Sequence, residues 1–299
     1  SLDQDALREI MRLQENLHWG IGRDRKLASI GVYDLDTIAP PIRYTLVDPD
    51  NFQFHPLGMP GQSMTPNQIL EDHPKGKAYA DLMDEYTRYP ILIDSKDLVL
   101  AMPPIINSDE TKCKTGTTRL FIDVTGAVPG PVYNSLNTLV SALIELGGTA
   151  ETVTMLHPGG PEETPDLSPK SITIHSDKAR RWLGLDFSPR EFMEFLEKMR
   201  LDVKKKDEAY LVHYPVFRTD VRHEVDIFED VAIGYGYENI QPQMVESLTI
   251  GEARPEERIS TTVRDAMLGL GFTEIMTLNL HSKERLFGKF RLEPGDEHV

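Results

Sequence analysis

The sequence predicts a multidomain α+β fold. Its 299 residues exceed the roughly 100 to 200 residues of a single domain. Short apolar runs typical of strands alternate with amphipathic stretches of helical period. Residues 158–169 are rich in Pro, Gly and acidic residues, and the patterns begin anew after them, so this segment is predicted to be a linker.

Residues 1–157 carry signals of both helices and strands. The chain opens in a helical pattern that continues to Leu17, and a second helix is predicted to begin at Thr65-Pro66, an N-cap followed by proline at the first helical position. An amphipathic stripe that starts at Val132 ends at Gly147-Gly148, where glycine suits a C-cap. The predicted strands are 27–33, 89–94, 119–126 and 152–156, and a further helix is predicted over 75–86.

The region after the predicted linker has its own succession of elements. Ser188-Pro189-Arg190-Glu191 is a capping box with proline at the first helical position, which fixes one helix start. The predicted elements are strand 171–175, helices 176–183 and 189–199, hairpin 201–214 and helix 223–235. From about residue 255, a helix that ends at Gly271 and a strand over 273–280 predict the start of a third module. Since nothing is visible to pair that strand, the chain is expected to be a fragment.

The composition excludes several classes of protein. The chain has 48 acidic against 32 basic residues and a formal charge of −16, which argues against coating of nucleic acid by bulk electrostatics. Cys113 is the single cysteine, so no internal disulfide is expected, and the nine histidines form no HExxH-like metal pair. With no apolar run of about 18 residues and no secretory signal, a cytoplasmic location without a membrane span is expected.

Four carboxylates lie close together in the sequence between residues 217 and 230. Asp226, Glu229 and Asp230 follow the i, i+3, i+4 spacing that places them on one helical face, and Asp220 lies just upstream. Hard oxygen ligands without imidazole or thiolate suit Mg²⁺. The alternative is that these acids complement the helix dipole and face solvent.

A second polar cluster combines a loop with a strand. Two prolines stop the strand before Asn107 and Ser108, and Asp123 and Thr125 project from one side of the strand 119–126. Ile122 and Val124 project from the other side, so a polar face is free to line a ligand pocket. The alternative is a buried turn whose side chains bond to the local backbone.

Six segments together resemble the β subunit of archaeal-type phenylalanyl-tRNA synthetase. The resemblance covers essentially the whole chain. In chain order they are HPKGKAYADL, LAMPPIINSDE, LFIDVTG, TPDLSP, FRTDVRHEVDIFEDVAIGYGYENIQP and GLGFTEIMTLNL.

The resemblance implies three modules and a set of partners. It implies a mixed-sheet editing domain over 1–157, a small winged-helix-like domain over 164–243, and the start of an inactive catalytic-like module over 250–299. It also implies two partners: the α subunit, with which this chain would form an (αβ)₂ heterotetramer, and tRNA(Phe). The holoenzyme would use ATP at a site on the α subunit and not on this chain, and the β subunit would hydrolyse tRNA(Phe) mischarged with tyrosine.

Carried over residue by residue, the resemblance assigns an editing pocket and a metal site. Asn107, Asp123 and Thr125 would be the catalytic residues of the editing pocket, with Asp123 or Asn107 selecting the tyrosine hydroxyl. Leu92 and Ala101 would contact the substrate. The family often has serine at the position of Ala101, which puts in doubt a mechanism that needs a hydroxyl there; the terminal hydroxyl of the RNA could activate water instead. It also often has His-Asp at Tyr33-Asp34, so Tyr33 is given no role. The Mg²⁺ shared with the α subunit would be held by Asp220, Asp226, Glu229 and Asp230.

Two other functions are weighed against an editing β subunit. The first is a non-catalytic scaffold for assembly and tRNA docking with an impaired editing pocket, which Ala101 favours. The second is a free-standing nucleic-acid-binding protein, which should bind without a partner chain and with a steep salt dependence.

Overall fold

A computed structural model describes residues 1–244 and 251–295 in two compact units, Ser1–Ile240 and Gln241–Val299. The α+β class is confirmed, because helices accompany antiparallel sheets. Every strand pair among the described residues is antiparallel, so the mixed sheet expected for the first region was wrong. The physical reason is clear for neighbouring strands joined by short turns, since a parallel pair needs a crossover of a dozen or more residues.

Two sheets form the first region. Strands β1 (Ser29–Asp34) and β6 (Leu120–Thr125) pair with each other, and the four-stranded sheet has the order β2-β3-β4-β5. The bounds of its strands are β2 Arg43–Val47, β3 Tyr89–Ile93, β4 Val99–Met102 and β5 Ile106–Asn107.

Four helices accompany these sheets: α1 (Gln4–Trp19), α2 (Pro66–Asp72), α3 (Pro74–Tyr79) and α4 (Pro129–Glu145). Helix α2 starts at Thr65 with the predicted cap, where the Thr65 side chain accepts a hydrogen bond from the backbone N–H of Gln68. The helix predicted over 75–86 is shorter: after Tyr79 it tightens into a 3₁₀ turn over Ala80–Met83, a common way for a helix to end.

The predicted linker is partly wrong. Strand β7 (Val153–His157) turns directly into β8 (Gly160–Thr164), and the two strands form an antiparallel hairpin. Only residues 158 and 159 lie between the strands, and Gly160 has a φ of 113°, a conformation that side chains other than glycine rarely adopt. The Pro-Gly-Gly sequence is therefore a hairpin turn, and only residues 165–169 lack regular structure.

The second region contains a three-stranded sheet and three helices. The strand order is β10-β11-β9, with β9 Lys170–Ile174, β10 Asp202–Lys206 and β11 Ala209–Tyr214. Helices α5 (Ser176–Leu183), α6 (Pro189–Lys198) and α7 (Glu224–Tyr235) cover it, and the predicted capping box of Ser188 and Glu191 begins α6. Phe192, Tyr210 and Phe228 lie at the centre of the shared core.

The unit Gln241–Val299 contains helix α8 (Pro255–Gly269), as the sequence predicts. The strand predicted over 273–280 is wrong, because these residues form no strand and pair with none among the described residues. A strand requires a neighbour to take its backbone hydrogen bonds, and apolar side chains here, such as Met276 and Leu280, are exposed.

Among residues 1–244 and 251–295, no helix has both the length and the apolar character needed to cross a membrane.

Candidate functional site

Strand β6 separates an apolar face from a polar one, as its alternation predicts. Ile122 and Val124 pack into the cluster that β1 forms with α1 and α4. Asp123 and Thr125 point to the opposite side, where Phe121 packs against Tyr33. The predicted division of this strand into two faces is therefore confirmed.

Three expected pocket residues form a row across the four-stranded sheet. Leu92 of β3 lies opposite Ala101 of β4, and Ala101 lies opposite Asn107 of β5. Directly opposed residues in antiparallel strands project from the same face of the sheet. Leu92 and Ala101 are buried and pack in one cluster with Tyr33, which brings this row against the polar face of β6.

Tyr33 is the residue that joins the two sheets. It is fully buried on β1, and its hydroxyl donates a hydrogen bond to Asp123 Oδ1. Gly31, which pairs with Asp123 across β1 and β6, leaves the space in which this hydroxyl and carboxylate meet. The structure thus brings together Leu92, Ala101 and Asp123.

The surroundings of Asp123 make its charge costly. Burial raises the pKa of Asp123 to about 6, although the hydrogen bond from Tyr33 acts in the opposite direction. Burial and the neighbouring Asp123 carboxylate raise the pKa of Tyr33 well above its usual value, so this phenol keeps its proton and stays a donor. Tyr44, opposite Leu92 on β2, also has a raised pKa, caused by burial, then by Tyr86 and Asp123.

Ser108 and Asn107, the loop residues that follow the two prolines, behave differently: one belongs to a locally bonded turn and the other remains a candidate pocket residue. Ser108 is fully buried and its hydroxyl donates to the Glu110 carboxylate, which also contacts Nδ1 of His55. Ser108 therefore follows the alternative of a locally bonded turn. Asn107 keeps its place in the sheet row, and its backbone carbonyl accepts a hydrogen bond from the N–H of Leu57.

Arg218 organises two of the four predicted metal ligands. Its Nη2 donates to Asp220 at 2.7 Å and to Asp230 at 3.0 Å. The Arg218 hydrogen bond lowers the pKa of Asp220, whereas burial raises that of Asp230 against the effect of Arg218. The Arg218 guanidinium thus lies between two of the carboxylates that were predicted to hold Mg²⁺.

The other two predicted ligands lie differently. Asp226 Oδ2 accepts from the backbone N–H groups of Arg222 and His223, and these bonds lower its pKa. Together with Glu229 it lines a surface groove beside Trp182 and Tyr237.

The four carboxylates do not form a ready metal site. Within the described residues, no group of three or more His, Cys, Asp or Glu side chains is placed to hold a metal ion. The expected convergence of all four carboxylates is therefore not found within this chain. Magnesium binding by these residues stays a prediction.

Sequence reasoning missed Gly31, Tyr33 and Arg218. Gly31 inside a predicted strand was the available signal, because glycine there often marks a close approach of another group. Arg218 lies within the acidic segment 217–230, two residues before Asp220. Its positive charge was the available signal that a side chain of this chain could pair with the carboxylates.

Residues 172–237 match the family model described as the tRNA synthetase B5 domain. The chain is 42% identical over 291 residues to the phenylalanine–tRNA ligase beta subunit of Methanothrix thermoacetophila, with 97% of this chain and 54% of that protein covered. It is also 42% identical over 300 residues to the beta subunit of Archaeoglobus fulgidus, with 100% of this chain and 54% of that protein covered.

A solved structure agrees with these relatives. The N-terminal fragment of the phenylalanyl-tRNA synthetase beta subunit from Pyrococcus horikoshii is 42% identical, with a TM-score of 0.76, and the match covers 79% of this chain and 68% of that one. This chain belongs to the phenylalanyl-tRNA synthetase beta-subunit family. It spans about half the length of the curated beta subunits that it matches.

Proposed function

We propose that this chain is the part of a phenylalanyl-tRNA synthetase beta subunit that hydrolyses tRNA(Phe) mischarged with tyrosine. The observation that carries the proposal is the Asp123 carboxylate, held by Tyr33 beside the apolar side chains of Leu92 and Ala101. An aromatic ring suits the apolar row, and a phenolic hydroxyl suits the carboxylate.

Tyrosine would be selected because its hydroxyl can donate a hydrogen bond to the Asp123 carboxylate. The tyrosyl hydroxyl would donate to Asp123, whereas a phenylalanyl ring would leave a carboxylate oxygen without its partner. A site built to hydrogen-bond a hydroxyl rejects the analogue without it by as much as about 10⁴-fold to 10⁵-fold. The physical cause is the large cost of an unpaired buried polar group.

The hydrolytic step would depend on positioning more than on a protein nucleophile. Ala101 has no hydroxyl, so Thr125 and Asn107 are the groups proposed to orient the ester and the attacking water. The terminal hydroxyl of the RNA would serve to activate that water.

The proposal extends to the assembled enzyme. An α subunit would carry the ATP-dependent charging of tRNA(Phe) in an (αβ)₂ heterotetramer, and this chain would support it in the cytoplasm. A requirement of that enzyme for Mg²⁺ belongs to the same proposal, but no step of hydrolysis is assigned to the ion.

One pair of observations favours the scaffold alternative. The Tyr33 phenol already occupies one oxygen of Asp123, and Ala101 supplies no hydroxyl to the site. A site altered in both ways could dock tRNA and assemble with the α subunit without hydrolysing the ester.

Deacylation assays separate the two functions. Purified full chain is incubated with Tyr-tRNA(Phe) and with Phe-tRNA(Phe), alongside Asp123→Ala and a control, Asp36→Ala, whose carboxylate makes only a surface ion pair with Arg119. Editing predicts release of tyrosine alone, lost in Asp123→Ala and kept in Asp36→Ala. Absence of release from both substrates supports the scaffold, and equal release from both removes Asp123 as the selecting group.

A further inference from the structure

Gly31, Tyr33 and Asp123 form an interlocked group. Gly31 and Tyr33 are two positions apart on β1, so they share a face, and Gly31 lies directly opposite Asp123. A Cβ atom added at Gly31 would collide with both the Tyr33 hydroxyl and Asp123 Oδ1. The absence of a side chain at position 31 is therefore what lets the phenol reach the carboxylate.

The second oxygen of Asp123 is left for another donor. The Tyr33 hydroxyl takes Oδ1, and no other hydrogen bond to this carboxylate is formed by the described residues. Asp123 keeps partial contact with solvent, whereas Tyr33 has none. A hydroxyl that binds the second oxygen would therefore not have to displace Tyr33.

We propose that Tyr33 is a positioning residue of this site: its buried hydroxyl fixes one oxygen of Asp123 and directs the other toward the hydroxyl of the ligand. This inference rests on the proposed function, and it names a residue that acts through Asp123 without touching the substrate. Tyr33 enforces the orientation in which a second phenol can bind the same carboxylate.

Tyr33 also keeps Asp123 ionised over a wider pH range. A donor to a carboxylate favours the charged form and so opposes the effect of burial on the pKa of Asp123. The other titratable groups that act on this pair are Tyr44 on β2 and Cys113, and burial raises the pKa of both, that of Cys113 to about 12. Both stay neutral near pH 6, so Tyr33 is the partner that governs the ionisation of Asp123.

The test is Tyr33→Phe in the full chain, with Tyr89→Phe as the matched control. Tyr89 is a buried tyrosine that packs in the separate cluster around Ile91 and Met102. Tyrosine release is measured from pH 5 to 8, and circular dichroism verifies folding. We expect the acid limb of the Tyr33→Phe profile to move to higher pH by about one unit, with about a fivefold slower rate near pH 6 that approaches tenfold near pH 5. Tyr89→Phe should keep the wild-type profile.

A second measurement does not depend on activity. The Asp123 carboxyl is titrated by carbon-13 NMR in wild type, Tyr33→Phe and Gly31→Ala. Both substitutions should raise its midpoint, because one removes the donor and the other displaces it. An unchanged midpoint overturns the role of Tyr33 even if the chain proves inactive. Selective hydrolysis that is lost in Asp123→Ala but unaltered in Tyr33→Phe would overturn this inference and leave the proposed function intact.

Discussion

Arg218 is the cation on which two carboxylates of the second region converge. Its contact with Asp230 is mostly buried, since the Asp230 side chain is 5% exposed and that of Arg218 is 22% exposed. Its contact with Asp220 is closer to solvent, because the Asp220 side chain is 61% exposed. Arg218→Met keeps much of the apolar stem and removes the charge and all the donors.

The two contacts contribute unequally to the free energy of unfolding. A hydrogen bond to a charged group contributes about 1.5 to 3 kcal/mol, whereas a solvent-exposed pair contributes about 0 to 1 kcal/mol. Removing the partner of a buried charge costs about 3 to 5 kcal/mol if the charge persists. We expect Arg218→Met to lower the free energy of unfolding by about 3 kcal/mol near pH 7.5, mostly through Asp230.

The loss should depend on pH with a defined sign. Burial already holds the pKa of Asp230 above its ordinary value, and without Arg218 that pKa rises further. A carboxyl whose folded-state pKa is raised favours the folded state when protonated, and this contribution disappears as pH rises through the folded-state pKa. Arg218→Met should therefore be less destabilised at pH 4.5 than at pH 7.5, where Asp230 is ionised and unpaired.

Urea unfolding followed by circular dichroism at both pH values measures this difference. Arg222→Met is the control, because Arg222 is an exposed arginine four residues away in the same segment. A loss in Arg218→Met no larger than in the control, or a loss that grows as pH falls, would refute the reasoning. Stability regained by Arg218→Met on addition of Mg²⁺ would show that the carboxylates can exchange the guanidinium for the predicted ion.

Gly234→Ala should lower the free energy of unfolding by about 1 to 3 kcal/mol in a urea titration, because its Cβ would lie 2.9 Å from the Cα of Phe195 and force α6 and α7 apart. A stability equal to wild type would contradict this close packing. Asp94 is buried; burial raises its pKa, but hydrogen bonds from three backbone N–H groups outweigh burial and lower it overall. Asp94→Ala should therefore lose stability near neutral pH, and the difference from wild type should shrink only when pH falls below the ordinary pKa of aspartate, toward the lowered pKa of folded Asp94. Ser188→Ala should cost about 1 kcal/mol through loss of the cap that it shares with Glu191, and Ser168→Ala, outside any helix, should cost less.

The predicted pocket residues show which parts of a site are local. The two faces of β6 follow from alternation alone, so the amino-acid sequence is sufficient to place Asp123 and Thr125 on one side of a strand. The resemblance added Leu92 and Ala101. Neither source indicated that Leu92, Ala101 and Asn107 would lie in one row, because that depends on the register of three strands.

The acidic segment shows the opposite case. Spacing correctly placed Asp226, Glu229 and Asp230 on one helix, α7, yet shared helical spacing did not make them neighbours at a single site. Asp226 caps its own helix, and Asp230 turns toward Arg218. Competing partners within the chain decided the orientation of each carboxylate.

Local elements and the family could be predicted from the amino-acid order alone. Helical period, proline at first positions and capping boxes depend on residues within a few positions of one another. The start of α2 and both ends of α5, α6 and α7 were therefore predicted close to their observed positions. Only tertiary packing establishes that β7 continues into a hairpin, and that Tyr33 meets Asp123, a residue 90 positions later in the chain. Such contacts depend on the register between strands that are far apart in the chain and on the space left by Gly31. The spacing of neighbouring residues does not determine either of them.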